Sequence, residues 1–413
     1  MVGAGIFSLL GAAGEVAGAA VWVSFAFAGA IAMLQGYSFA KFGARYPSAG
    51  GFLEYVAQGY GNGHITGIVA WLLFATNFII TGMVAVSFGS YASEAFFDGS
   101  GAWLRFFSVV VILAMTLLNV LGSRAVAGVQ TLVVYVVISI LSVFAVTTLV
   151  NIDPSLLALS EYPSLKHIVS SIALTFFAFL GFGVISFTAK DLSEPKRQLP
   201  RAMFLALGIA TTIYIAVAIG VFGTLTVDEV IASGGTAIAV AAQPVLGNAG
   251  YWMMTVTALF ATSGATNAGL YPATGLCQEM VASGQFPPIL GRQFGSRASA
   301  GLLLTAAGSI VLAVGFDLNS IASIGSAIAL VVFALVTAGH LRVRHETGAR
   351  AWILLVGVVT TVAVLVSFIF TSLVNEPATM WTIAGILAFS IGLDVAWKRS
   401  RGSFTVAPAI ERN

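Results

Sequence analysis

The sequence predicts an all-α, polytopic membrane protein, and three observations predict it. The first is composition. The 413 residues are 58% hydrophobic and 8% charged, where ordinary soluble domains carry roughly 25% charged residues, and the mean hydropathy is +0.99. A chain so poor in charge cannot cover a globular surface, so lipid must be its solvent. The second is the recurrence of apolar runs, each near the ~20 residues that a membrane-crossing helix needs. They lie near 19–42, 64–95, 103–121, 127–150, 165–189, 202–225, 249–282, 301–316, 319–341, 350–373 and 378–397, after an opening apolar segment before residue 15. Barrel strands would instead alternate over ~10 residues. The third is charge segregation. If even-numbered connections face the cytoplasm, all 18 Lys and Arg lie on that side except Arg105 and Lys166, which is the positive-inside bias. Glu15, Asp98, Asp153, Glu161, Asp228, Glu229, Asp317 and Glu376 fall on the opposite side. Counting back places both termini in the cytoplasm of a multi-pass plasma (inner) membrane protein.

The elements follow in order. The chain opens with MVGAGIFSLLGAAG. Residues 1–18 are too short to cross ~30 Å of hydrocarbon and leave a tail, so the first span is expected to be partial and the natural product longer. Breaks between later spans fall at YPSAGG, NIDPS, LSEPKRQLP and FGSRAS. A second glycine pair, in ALTFFAFLGFG (173–183), follows the first, Gly3-Ala4-Gly5, after about five spans. Secondary transporters are often two inverted five-helix repeats whose corresponding helices are interrupted at the midplane. Glycine eases such a break, which frees N–H groups on one half-helix for a carboxylate and C=O groups on the other for an ammonium or cation. A zwitterion fits that site without any charged side chain. Small residues also serve close helix packing, the competing explanation for an isolated pair.

The remaining inventory excludes other classes. No carboxylate, Lys or Arg lies well inside a span beside a plausible partner; Asp394 and Glu279 sit near helix ends. The absence of HExxH, a P-loop and paired intramembrane acids argues against an enzyme or ATP-driven pump. No catalytic residue, resident metal, cofactor or nucleic-acid partner is expected. Cys277 stands alone, so no disulfide framework exists. His64, His167, His340 and His345 are read as interfacial.

Four stretches in order along almost the whole chain resemble the amino acid–polyamine–organocation permease family. VGAGIF (2–7) resembles its first-helix signature, and ARYPSAGGFLEYV (44–56) the stretch after the second helix. FFAFLGFG and DLSEPKRQLPRAM, within 176–203, resemble its broken sixth helix and cytoplasmic tail. TNAGLYPATG and MVASGQFP, within 266–287, resemble its eighth. The resemblance implies a five-plus-five inverted-repeat (LeuT-like) fold of about twelve helices with discontinuous helices 1 and 6. The first repeat would span 1–151 and the second 164–343, with the last two helices at 350–398 and a cytoplasmic tail at 399–413. It implies secondary active transport of amino acids by alternating access, as symport or exchange. The substrate carboxylate would meet the amides of Ala4, Gly5 and Ile6. Its ammonium would meet carbonyls of Phe177, Ala178 and Leu180 and those near Gly3. Phe179 and Phe182 would flank the pocket, one as a gate.

Several positions depart from the family pattern. An acidic position near the end of helix 2 reads Lys41, the acidic pair after helix 6 reads Lys190-Asp191, the helix-8 arginine reads Gly275, and a further acid reads Gly183. No lysine occurs in QTLVVYVVISILS (130–142), which disfavours proton coupling through one there. The coupling ion, H+ or Na+, stays open. Thr262 and Ser263 are candidate sodium ligands, since hard cations prefer oxygen, although such hydroxyls commonly bond back to their own helix. No acid lines the expected pocket, which favours neutral substrates over cationic amino acids or polyamines. The alternative from another class is a non-transporting solute sensor or degenerate paralogue. Oligomeric state is left open.

Overall fold

The computed structural model describes residues 2–48, 50–121, 124–294 and 298–400. Met1, Arg297, Arg401, Arg412 and the expected tail beyond residue 400 lie outside the described residues, as do the side chains of Arg124, Glu161, Lys190 and Asp191.

The chain is helical almost throughout. The opening segment forms α1 (Ala4–Ser8) and α2 (Leu10–Ala17), joined through Leu9 in helical geometry. Then come α3 (Val21–Arg45), the short α4 (Phe52–Tyr60), α5 (His64–Phe97), α6 (Gly101–Leu121) and α7 (Arg124–Val150). Next, α8 (Leu165–Phe176) passes into a 3₁₀ stretch, Phe177–Asp191. It is followed by α9 (Pro195–Phe222), α10 (Val227–Ser233), α11 (Ala237–Leu270) and α12 (Ala273–Ala282). The last helices are α13 (Ala300–Gly315), α14 (Leu318–Thr347), α15 (Ala351–Thr371) and α16 (Pro377–Ser400). A two-stranded antiparallel ribbon, Gln293–Phe294 with Ala298–Ser299, precedes α13. Among the described residues, ten segments are long and apolar enough to cross a membrane, and α13 is a shorter apolar helix of 16 residues. This is a multi-pass membrane protein.

Local chemistry explains the helix ends. Pro195 occupies the first helical position of α9, where its missing N–H costs nothing. Thr226 and Glu229 form a reciprocal capping box on α10. Asp317 accepts the Ser320 amide at 2.9 Å to cap α14, which ends at Gly348 with φ +64. The core lies where α1, α3, α5, α8 and α14 meet, whereas α6, α7 and α16 turn large apolar side chains outward to lipid.

Two expectations need correction. The span placed at 249–282 starts where expected, just past a non-helical break at Gly247 (φ +66) that parts it from the helical segment beginning at Ala237, but it is not continuous: its winding stops at Leu270 and α12 is a separate helix after Pro272. Asp394 lies near the end of α16, as expected, and is fully buried and held by His64 Nδ1 at 2.6 Å and Lys398 Nζ at 2.8 Å. His340 is not interfacial. It is buried, with Nδ1 against Ser38 Oγ at 2.8 Å, Nε2 against Thr347 Oγ1 at 2.7 Å, and its ring stacked 4.0 Å from Phe42. The other three histidines are exposed.

Buried amides tie the helices together. Gln35 of α3 donates to Gly357 O at 3.2 Å and Thr361 Oγ1 at 2.7 Å on α15, and accepts from Thr337 Oγ1 on α14. Interhelical hydrogen bonds in membranes contribute ~0.6 kcal/mol on average. Gln35→Leu is therefore expected to lower the thermal midpoint in detergent by a few degrees. An unchanged midpoint would show that these bonds contribute nothing.

Candidate substrate site

The two glycine-bearing segments predicted from the sequence meet in space. Gly3 is extended (φ −170) and helical winding begins at Ala4. The first amide to bond back is Phe7 N–H, to Gly3 C=O at 3.3 Å. The amides of Ala4, Gly5 and Ile6 come before it, at positions where a helix has no internal acceptor. All three residues are buried.

Gly5 faces the other segment. A Cβ on Gly5 would lie 2.3 Å from Ala178 Cα and 2.5 Å from Ala178 Cβ. A Cβ on Gly3 would lie 2.9 Å from Ala265 Cβ of α11. Three segments distant in sequence therefore touch through residues of minimal size. Phe177 covers Gly325 of α14, where a Cβ would come within 2.7 Å of its ring. The α-helical winding of α8 stops at Phe176, one turn before the Gly181 and Gly183 pair. Gly183 has a packing role: a Cβ there would sit 2.0 Å from Phe52 Cζ.

Two tyrosines missed by sequence reading hold backbone carbonyls here. Tyr91 of α5 donates to Phe7 C=O at 2.8 Å, and Tyr214 of α9 donates to Ala178 C=O at 3.3 Å. Both are fully buried. A hydroxyl inside an apolar run, as in TTIYIAVAIG, was the available signal, because a buried Tyr O–H usually finds a partner. Ser8 and Ser87 hydroxyls also pair across α1 and α5. Phe179 packs 5.2 Å from the Tyr214 ring, whereas Phe182 lies 5.5 Å from Phe39 and 5.4 Å from Phe333. The two phenylalanines expected to flank one pocket thus enter different aromatic groups. Leu180 is buried.

The electrostatics come from backbone. Among the described residues, no group of three or more His, Cys, Asp or Glu could hold a metal ion. Thr262 Oγ1 donates to Ala258 C=O and Ser263 Oγ to Leu259 C=O, both at 2.6 Å, so each hydroxyl proton is used within α11. Outside the spans, Tyr46 donates to Glu346. Burial, followed by that carboxylate, pushes the Tyr46 phenol up to about 12, which keeps it a donor. Cys277 is buried against Gly301.

Comparison with known proteins agrees with this architecture. The family model described as amino acid permease matches residues 1–390. The chain is similar to the inner membrane transport protein YbaT of Escherichia coli (strain K12), 32% identical over 97% of this chain and 94% of the relative. It is also similar to the serine/threonine exchanger SteT of Bacillus subtilis, 26% identical over 65% of this chain and 61% of that protein. A third relative is the Asc-type amino acid transporter 1 of Mus musculus, 23% identical over 96% of this chain and 77% of the relative. With a family match across nearly its whole length and a relative above 30% identity end to end, the chain belongs to the amino acid permease family.

Proposed function

We propose that the protein is a secondary active transporter, symporter or exchanger, of neutral amino acids that works by alternating access. The observation that carries this reading is the contact of Gly3 and Gly5 with Ala265 and Ala178, beside the amides of Ala4, Gly5 and Ile6. Those amides suit a carboxylate at the start of a helix. The carbonyls of Phe177, Ala178 and Leu180 suit an ammonium, and Phe179 and Phe182 bound the apolar surroundings. In this reading 1–151 and 164–343 are the two inverted repeats, 350–398 the last two helices, and both termini are cytoplasmic. The named activity of SteT, serine/threonine exchange, supports a neutral substrate. No cofactor enters the scheme. The coupling ion is H+ or Na+, and Thr262 and Ser263 retain acceptor lone pairs for the latter.

Radiolabelled counterflow in proteoliposomes tests it, across a panel of neutral, cationic and acidic amino acids with and without sodium. Saturable exchange of neutral members is the expected result. Saturable binding without counterflow would overturn transport in favour of solute sensing. Exchange confined to cationic members would overturn the neutral assignment.

A further inference from the structure

Phe39 of α3 touches four other rings: Phe52 at 4.8 Å, Tyr55 at 5.9 Å, Phe182 at 5.5 Å and Phe333 at 5.1 Å. These rings come from α3, α4, α14 and the 3₁₀ stretch, so one dry layer joins four separate segments. Phe39 lies near the end of α3, which finishes at Arg45, and Phe333 lies midway along α14, whose following half, toward Thr347, carries the contacts with Gly59 and Tyr60 of α4. On the transport reading, the Arg45 and Thr347 ends are cytoplasmic, and the layer separates the cytoplasm from the Gly5 and Ala178 contact.

Within the layer, α4 differs from the other contributors. It is a nine-residue helix, too short to cross a bilayer. Its two ends are held differently. At the C-terminal end, Gly59 approaches Gly339 so closely that a Cβ would lie 2.7 Å from Gly339 Cα. There Tyr60 Oη donates to Leu335 C=O at 3.0 Å, and the Arg342 guanidinium sits 4.6 Å over the Tyr60 ring. At the N-terminal end, Phe52 projects onto the 3₁₀ stretch. Its ring fills the space left by Gly183, where the three atoms nearest an added Cβ would all belong to Phe52, and it lies 5.3 Å from Phe187 and 5.7 Å from Phe333. Gly51 precedes it at φ +50, a conformation that glycine adopts without strain. The helix is thus moored to α14 at one end and seated by ring packing at the other.

We propose that Phe52 is the plug of the cytoplasmic gate: α4 stays anchored on α14 while opening to the cytoplasm withdraws the Phe52 ring from Gly183. The inference rests on the transport reading above. It assigns a role to α4 and to a glycine that sequence reading linked to helix interruption. It also makes this closure one of aromatic packing, which salt leaves intact because screening acts on charges.

Thiol accessibility tests it. Ser326, two turns before Phe333 on α14, is fully buried, and Ser326→Cys in a Cys277→Ala background supplies a single reporter. A membrane-impermeant methanethiosulfonate reagent is applied to right-side-out and inside-out vesicles separately. Phe52→Ala is expected to raise the cytoplasmic-side labelling rate about tenfold or more, since removing a buried phenylalanine weakens the closed state substantially, with no acceleration from the external side. Gly183→Ala should do the same by displacing the ring, and should add nothing in the Phe52→Ala background, where the clashing atoms are gone. Unchanged cytoplasmic labelling in both single variants, or full additivity between them, overturns the proposal. Where Phe52→Ala does not accumulate, Phe52→Leu gives the same reading with most of the apolar volume kept. Labelling needs no solute, so failure of wild-type counterflow strikes the transport reading, whereas unchanged labelling beside intact counterflow strikes the plug alone.

Discussion

Gly5→Val is expected to abolish counterflow in protein that still purifies as a monodisperse species. The added Cβ would fall 2.3 Å from Ala178 Cα and 3.2 Å from Ala178 N, and backbone cannot rotate away as a flexible side-chain tip can. The two segments must part or the valine must fill the space beside the amides of Ala4 to Ile6. Overpacking of this kind costs ~1–3 kcal/mol, which a large bundle tolerates, whereas a solute competing for the same space is excluded outright. Gly208→Ala is the matched control, because nothing lies within 4 Å of a Cβ there; it should leave counterflow and folding unchanged. Parental exchange in Gly5→Val would refute the backbone site. Loss of folded protein in Gly5→Val alone would return Gly5 to a purely packing role.

The second large effect concerns Asp394. Its carboxylate is fully buried between His64 and Lys398, and Lys398 Nζ also donates to Gly63 C=O at 2.7 Å. Gly67 makes the room: a Cβ there would stand 1.8 Å from Asp394 Oδ1. This cluster fastens the end of α16 to the start of α5, and α16 is otherwise turned mostly to lipid. Removing one member of a buried charge group is more costly than the group's net worth. His64 and Lys398 both keep access to water, so Asp394→Ala is expected to cost ~1–3 kcal/mol. Its signature should be local: hydrogen exchange rises across 390–400 and 63–67 and the thermal midpoint falls, while Asp394→Asn, which keeps an acceptor, recovers part of both. Uniform exchange rates with an unchanged midpoint would show the cluster to be energetically idle.

The span pattern was legible because lipid demands continuous apolar stretches with every backbone group bonded internally. The run placed at 350–373 is α15, Ala351–Thr371, and that placed at 378–397 lies within α16. Where the signal failed, continuity misled. The start placed at 249 matches the non-helical break at Gly247, but the same apolar run carries on past Tyr271-Pro272, where α11 has ended and α12 begins. The meeting of Gly5 with Ala178 was legible only as the coincidence of two glycine-bearing runs. The details around that contact were not, because Tyr214 holds the Ala178 carbonyl and Tyr91 the Phe7 carbonyl from segments whose sequence position says nothing of their partners. His340 shows the same limit. Its ring nitrogens are satisfied by Ser38, 302 residues away, and by Thr347, and no periodicity announces that pairing.

The Gln35 amide has a kinematic consequence. α15 lies outside both proposed repeats, yet its Gly357 and Thr361 are tied to α3, and Thr337 of α14 shares the same side chain. On the proposed alternating-access reading, a helix so attached follows α3 and α14 if they rock. It becomes a passenger of whichever rigid body carries Gln35, and a label on its lipid-facing side would travel with that body.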